Sequence, residues 1–204
     1  MMIPLFHLVG VVLLSSPGLP QIATPDPISV IREDLPGRDY FRQTGLLVIA
    51  GNLDGKPILA LVDTGTDATI IDTSSIAIGS GPREFPVLRE AVMALSTGTT
   101  KVPIVLAPCR FGNGDIRQLQ AAVLDLKSLN SAVGISLNAV VGTDYLMNSP
   151  VSINGGTGEL NFLATNDPLP SSAPDRLRFR RGKPTLNGSL PILGRRELMI
   201  DTGM

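Results

Sequence analysis

Short apolar runs separated by polar or Gly-rich turns recur along most of the chain. The clearest pair lies at 46–50 and 58–62, on either side of Asn52-Leu-Asp54-Gly55. Because Asp-Gly suits the positive φ angles of a tight hairpin, these runs predict two paired strands. Neither run alternates cleanly between apolar and polar residues, so we expect both strands to be buried on both faces.

Further strands are predicted along the chain up to residue 162, with residues 127–136 as a loop or a short helix. The predicted strands are 68–71, 91–95, 102–106, 119–126, 139–142, 151–154 and 159–162. The composition agrees with short strands and many turns, since Gly (21) and Pro (17) are plentiful and only 17% of residues are charged. The pattern therefore predicts an all-β fold, either closed or sandwiched.

The net charge and the scarcity of His and Cys exclude several classes of function. The chain has 17 basic and 18 acidic residues, which gives no electrostatic case for nucleic acid. His7 is the only histidine and Cys109 the only cysteine. A Ser/His/Asp or Cys/His site and a His-rich zinc site are therefore not expected, and Cys109 is interpreted as a small core residue. No metal and no cofactor are predicted.

The first residues have the pattern of an export signal. An apolar stretch at 3–14 is followed by Ser15-Ser16-Pro17-Gly18. About a dozen apolar residues are too few to span a bilayer, which needs roughly 20. We predict a signal peptide at 1–20 and an exported protein (periplasmic, cell-envelope or secreted), with membrane contact only through an uncleaved signal. A buried N-terminal strand is the alternative. Residues 21–43 are expected to carry no chemistry and at most an edge strand.

A short motif occurs twice. Asp63-Thr64-Gly65 follows the apolar run at 58–62, and Asp201-Thr202-Gly203 follows Leu198-Met-Ile200. A carboxylate at the end of a buried strand is costly unless it is paired or used, and a Gly two residues later allows a tight turn. Two carboxylates a few ångströms apart share a proton and titrate as a pair. One can then act as base on a water while the other donates to a peptide carbonyl, the chemistry for which aspartic proteases are the standard example.

On these motifs the chain resembles the retropepsin-like aspartic peptidases, over roughly residues 44–163. The resemblance implies a closed β-barrel lobe with one short helix, and it makes Asp63 a catalytic carboxylate. It further implies that Thr64 hydrogen-bonds across to the partner turn, that Gly65 lines the substrate channel and that Thr66 hydrogen-bonds the catalytic carboxylate. Asp67 is assigned to substrate binding.

Two later segments also match the family pattern. The tip of the hairpin formed by 91–95 and 102–106, at Ser96, Thr97, Gly98 and Thr99, stands where the family has the flap that closes over bound peptide. Ala139-Val-Val-Gly142 resembles the strand that passes beside the active-site turn and leads into the short helix. Viral members have Arg after that Gly, whereas this chain has Thr143, so a viral-style ion pair between Asp67 and an Arg at that place is not expected.

The resemblance divides the chain into a complete lobe at 44–165, a linker at 166–185 and the start of a truncated second lobe at 186–204. The linker contains a basic cluster, Arg176-Leu-Arg-Phe-Arg-Arg181, which is interpreted as a solvated segment. In the second lobe, Asp201 would be the second catalytic carboxylate, with Thr202 and Gly203 completing its turn.

Two functions remain open from the sequence. The first is an aspartic-type endopeptidase that cuts a peptide or protein substrate through a water activated by an Asp dyad. The partner of Asp63 would be Asp201 of a fuller chain, or Asp63 of a second copy in a homodimer. The second is an inactive half-protease or a peptide-binding β module.

Overall fold

Strands dominate the computed structural model of the protein. It describes residues 38–79, 81, 84–95, 98–148, 150–154, 158–163, 178–180, 182–190, 194–199 and 201–203. The predicted signal peptide and most of the predicted linker lie outside these ranges. None of the helices in the described ranges has the length and apolar character that a membrane crossing demands.

Within the described residues, the first nine strands and the second and third α-helices lie in the part that the sequence predicts as one lobe, and the first helix reaches that part only with its last residue, Thr44. In chain order the elements are α1 (Arg38–Thr44), β1 (Val48–Leu53), β2 (Lys56–Val62), β3 (Ile70–Asp72), β4 (Val87–Leu95), β5 (Gly98–Phe111), β6 (Arg117–Leu124), α2 (Lys127–Val133), β7 (Ala139–Val141), α3 (Thr143–Leu146), β8 (Val151–Asn154) and β9 (Glu159–Phe162). A single 3₁₀ turn at Thr73–Ser75 follows β3. The all-β class predicted from the sequence is confirmed.

Seven strands form one sheet in the order β1-β2-β7-β3-β6-β5-β4, and β1 pairs in addition with β5. The parallel pairs β2–β7 and β3–β6 stand among antiparallel neighbours. This order places β7 between β2 and β3, so a strand far along the chain lies beside the turn that joins those two strands. A separate two-stranded sheet joins β8 and β9.

The predicted hairpins are confirmed. β1 and β2 pair from Val48↔Leu61 to Leu53↔Lys56 around a two-residue turn. In that turn Asp54 has φ 49° and Gly55 has φ 81°, the left-handed conformations that make Asp-Gly favourable there. Gly55 N–H also donates to Asn52 Oδ1 at 2.8 Å. β2 ends in residues buried on both of its faces, as expected, whereas β1 alternates between buried and half-buried positions.

Two apolar clusters cover the two faces of the sheet. One contains Ala60, Val62, Ile71 and Val141, and the other contains their chain neighbours Leu61, Ile70 and Val140 together with Val133 of α2. Successive strand residues point to opposite faces, so both faces of the central strands are buried. The Asp63 turn therefore begins at a rigid, fully packed strand end.

An aromatic trio anchors α3. The Tyr145 ring makes edge contacts with Phe111 and Phe162, with ring centroids 4.9 and 5.3 Å apart. Its hydroxyl donates to Asp115 O at 2.9 Å and accepts from Phe111 N at 3.2 Å. Since Tyr145 is 1% exposed, this packing fixes the helix that follows β7.

The helices differ from the prediction of one short helix. Besides the expected α3, α2 occupies the segment predicted as loop or helix, and α1 lies where at most an edge strand was expected. Seven residues rarely hold a helix by themselves. Tertiary contacts explain α1: Tyr40 Oη donates to Val133 O at 2.9 Å, and Phe41 packs against the apolar cluster that contains Val62.

A three-stranded antiparallel sheet precedes the second Asp-Thr-Gly. It consists of β10 (Arg178–Arg180), β11 (Lys183–Leu190) and β12 (Gly194–Met199) in sequence order. β10 and the first residues of β11 fall in the segment expected to be linker. Gly182, with φ 78°, lies in the turn between them. Polar and apolar residues alternate at 178–180, a strand pattern that the density of arginines obscures.

Candidate active site

Asp63 stands immediately after β2, where the sheet order brings β7 alongside. Its backbone N–H donates to Val141 O at 3.0 Å, which ties the turn to β7. Its carboxylate accepts the Gly65 N–H at Oδ1, at 2.6 Å, and Thr66 N–H donates to Asp63 O at 3.3 Å. The side chain is half-buried and held by its own turn.

The second Asp-Thr-Gly repeats this geometry. Gly203 N–H donates to Asp201 Oδ1 at 2.9 Å, as Gly65 N–H does to Asp63. The two turns are joined reciprocally: Thr64 N–H donates to Thr202 Oγ1 at 3.2 Å, and Thr202 N–H donates to Thr64 Oγ1 at 3.1 Å. The Thr202 hydroxyl in turn donates to Val62 O at 2.8 Å. Two turns 138 residues apart in sequence thus form one hydrogen-bonded unit.

The two carboxylates meet across this unit. A Cβ placed on Gly65 would lie 2.7 Å from Asp201 Oδ2 and 2.8 Å from Asp63 Oδ1. A Cβ on Gly203 would likewise overlap the Asp63 carboxyl group, with Oδ2 at 2.7 Å. Only a residue without a side chain fits at either position, so the glycine of each turn leaves room for the opposite aspartate.

The surroundings of Asp63 raise the pKa of its carboxyl above the ordinary value for Asp. Burial is the largest cause, and the charge of Asp201 and a side-chain hydrogen bond with it act in the same direction. The Gly65 N–H and the charge of Lys183 oppose the shift by favouring the ionised form. The Asp63 carboxyl therefore retains its proton to a higher pH than an isolated Asp carboxyl does.

A hydrogen-bond network behind the first turn involves residues that sequence reasoning gave no role. The Asp144 carboxylate accepts from Thr69 N at 2.9 Å and from Thr69 Oγ1 at 2.7 Å, and it also accepts from Tyr145 N at 2.8 Å. Thr69 Oγ1 accepts the Gly142 N–H at 3.3 Å. Because Thr69 is fully buried, its polar atoms need these partners, and the network locks the segment after the turn to α3.

Asp67 pairs with a residue that the sequence did not single out. Its Oδ1 lies 2.8 Å from Lys183 Nζ, and the same ammonium donates to Gly65 O. No arginine follows Gly142, as the sequence already showed, and Thr143 instead donates to Thr66 O through its N–H at 3.0 Å and its hydroxyl at 3.3 Å. The cation beside Asp67 thus comes from the start of β11.

Other predicted site residues differ or lie outside the described ranges. The Thr66 hydroxyl donates to Ala68 O at 3.4 Å and not to the Asp63 carboxylate. Ser96 and Thr97, the expected flap tip, lie outside the described residues. Gly98 and Thr99 begin β5 and are exposed, at the end of the β4–β5 hairpin, which is four residues longer on its first strand than the sequence predicted.

Replacing Thr202 by Val tests the junction between the turns. Val has the same shape but lacks the hydroxyl that accepts from Thr64 N and donates to Val62 O. We expect a loss of about 2 kcal/mol in the free energy of unfolding, since each unmade buried hydrogen bond costs roughly 1 kcal/mol or more. Urea denaturation measures it, with Thr202→Ser, which keeps the hydroxyl, as the control. Equal stability of the Val and Ser variants would contradict the junction.

A polar cavity lies away from Asp63 and Asp201. It has a volume of about 690 Å³ and is lined by polar residues around the 3₁₀ turn and α2, among them Asp72 and Asn130. Both are already engaged: Asp72 accepts from Ser74 N and Leu126 N, and Asn130 pairs with both backbone groups of Leu137. Within the described ranges, no group of three or more His, Cys, Asp or Glu is arranged to hold a metal ion.

Comparisons with known proteins add no family assignment. No family model matches the chain, and a search of curated proteins gives no match.

Proposed function

We propose that the protein is an aspartic-type endopeptidase whose catalytic pair is Asp63 and Asp201. The observation that carries the proposal is the joining of two Asp-Thr-Gly turns by reciprocal Thr64–Thr202 hydrogen bonds, with both carboxylates beside Gly65. Two half-buried carboxylates that lie this close to the same glycine destabilise a protein when both are ionised, because like charges repel. A site built this way is typical of a function that needs one proton shared by two acids.

The mechanism follows from the shared proton. In the working form one carboxylate is ionised and the other is protonated. The ionised group removes a proton from a water held between them as the water oxygen attacks the peptide carbonyl carbon. The protonated group donates to the carbonyl oxygen, which becomes a hydroxyl of the tetrahedral intermediate. The first carboxyl then returns its proton to the amide nitrogen while the second, now ionised, takes a proton from a hydroxyl of the intermediate, so the C–N bond breaks as the carbonyl re-forms and the pair returns to its starting form.

The partner carboxylate on this proposal is Asp201 of the same chain, because its turn is the one bonded to the Asp63 turn. A homodimer that pairs two copies of Asp63 would need the Thr202 contacts to be replaced by a second Thr64. The Thr64–Thr202 pairing, and the Asp201 oxygens 2.7 and 2.8 Å from a Cβ on Gly65, favour the intramolecular pair.

The fold supports a retropepsin-like lobe. The extra pairing of β1 with β5, at Gly51↔Phe111 to Leu53↔Cys109, is what closure of the main sheet into a barrel requires. The β4–β5 hairpin supports the role of a flap, since all nine residues of β4 are exposed or half-buried. Export remains a prediction from residues 1–20.

Peptide cleavage across a range of pH tests the proposal. Incubated with a fluorogenic peptide library from about pH 3 to pH 8, the protein should cleave best at acidic pH. The direction of the pH dependence follows from the raised pKa of Asp63. Activity falls as the pH rises above that pKa, because the pair then loses its shared proton. A statine-type inhibitor, which mimics the tetrahedral intermediate, should block cleavage.

Asp63→Asn is the matched control, because the Asn Oδ1 can still accept the Gly65 N–H. Cleavage that survives this substitution would exclude an aspartic mechanism. Peptide binding without cleavage by the folded wild-type protein would instead identify a peptide-binding module.

A further inference from the structure

We propose that Lys183 is a positioning residue of the catalytic pair: its ammonium ion, held between Gly65 O and the Asp67 carboxylate, fixes the first turn and places a positive charge beside Asp63. This inference rests on the proposed function. It concerns a residue outside both Asp-Thr-Gly motifs, at the start of β11.

The contacts of Lys183 are specific to the active-site turn. Its Nζ lies 2.8 Å from Asp67 Oδ1 and donates to the carbonyl of Gly65, 118 residues away in sequence. Gly65 is the residue whose N–H holds the Asp63 carboxylate. The Gly65 N–H thus orients the catalytic acid while the Gly65 carbonyl accepts from Lys183. Because both polar groups of Gly65 are bonded, rotation of the turn is limited.

Gly182, the residue before Lys183, lies close to the segment that follows the first Asp-Thr-Gly. Gly182 is in the left-handed region with φ 78°, and a Cβ there would lie 3.6 Å from Asp67 Oδ1 and 3.9 Å from Thr143 Oγ1. The turn between β10 and β11 thus rests on the segment after the first Asp-Thr-Gly. Behind the lysine, Thr185 is buried, with 6% of its surface exposed. The lysine is held by its strand and is itself 18% exposed.

The charge of Lys183 also affects the acid itself. The charges of Asp201 and Lys183 act in opposite directions on the pKa of Asp63. The Asp67 carboxylate, 75% exposed, partly neutralises the ammonium. The balance of these charges sets the pH range in which one proton is shared.

Two substitutions separate a charge effect from a structural one. Lys183→Met removes the cation, so the pH profile of kcat/KM should move to higher pH by about 0.5 unit, since the ionised form of Asp63 loses a favourable charge. Asp67→Asn removes the anion that neutralises the cation, so the profile should move to lower pH. If the ion pair only stabilised the fold, both variants would break it and would move the profile in the same direction or not at all.

Lys183→Arg should keep the wild-type profile, because it retains the charge. Lys127→Met, which removes an exposed lysine at the start of α2, should leave the profile unchanged. A profile of Lys183→Met that overlays the wild type would overturn the proposal, as would a shift to lower pH.

A measurement that does not need activity keeps this inference separate from the proposed function. The carboxyl ¹³C resonance of Asp63, assigned by its loss in Asp63→Asn, can be titrated in wild type, Lys183→Met and Asp67→Asn. We expect its titration to move up in the first variant and down in the second. If the wild type cleaves no peptide but these shifts occur, the endopeptidase proposal fails and the Lys183 placement stands. If the wild type cleaves peptide but these shifts do not occur, the endopeptidase proposal stands and the Lys183 proposal fails.

Discussion

Asp201→Asn is expected to abolish peptide cleavage, with kcat/KM falling by at least about 10³-fold, because the pair loses one of its two titrating groups. The fold should survive. Asn Oδ1 can still accept the Gly203 N–H, and the Thr64–Thr202 hydrogen bonds do not involve the carboxylate. The melting temperature at neutral pH should not fall, since the substitution removes a like charge beside a half-buried acid. Cleavage assays and thermal denaturation on the same preparation measure both effects.

The same variant distinguishes the two origins of the second carboxylate. In a homodimer that pairs Asp63 with Asp63, Asp201 takes no part and Asp201→Asn would cleave like the wild type. With the intramolecular pair, an equimolar mixture of Asp63→Asn and Asp201→Asn should also be inactive, because neither chain contains two carboxylates. Wild-type activity of Asp201→Asn alone, or recovery of activity in the mixture, would contradict the pairing of Asp63 with Asp201.

Local signals were enough to predict much of the fold. The β1–β2 and β8–β9 hairpins follow from apolar runs on either side of turn residues, and at Asp54-Gly55 the backbone requires the very φ values that this dipeptide favours. β4 was predicted too short because its first residues, from Val87 to Glu90, are exposed and of mixed polarity. α1 could not be predicted, since its stability depends on contacts with Val133 and the core that lie far away in sequence.

The sequence predicted only those residues of the candidate site that belong to a short local motif. Both aspartates and the cross-turn threonines belong to two short repeats, and the structure brings those repeats together. Lys183 carries no such signal, because its role depends on how β11 is placed against a turn 118 residues earlier. Thr66 shows the opposite error: its expected bond to Asp63 came from the resemblance, whereas here its hydroxyl donates to Ala68 O.

Gly142→Ala is expected to destabilise the fold strongly. Gly142 has an ordinary extended φ of −89°, so its need for glycine is steric and not conformational. A Cβ at this position would lie 2.6 Å from the carbonyl carbon of Ala68 and 2.7 Å from its oxygen, and these backbone atoms cannot move aside as a flexible side chain can. We expect a loss of about 3 kcal/mol in the free energy of unfolding, at the upper end of the usual cost of overpacking. Urea denaturation measures the loss.

Activity should fall in Gly142→Ala even in the molecules that remain folded. Relief of the overlap must separate β7 from the segment after the first turn, and that movement would disturb the Thr143–Thr66 bonds and the Thr69–Asp144 network. Gly55→Ala is the matched control. Its φ of 81° is unfavourable for alanine, but no atom lies within 4 Å of the new Cβ, so only about 1 kcal/mol should be lost and cleavage should be unaffected. Equal stability of the two variants would show that β7 and the active-site turn are not packed as closely as this geometry requires.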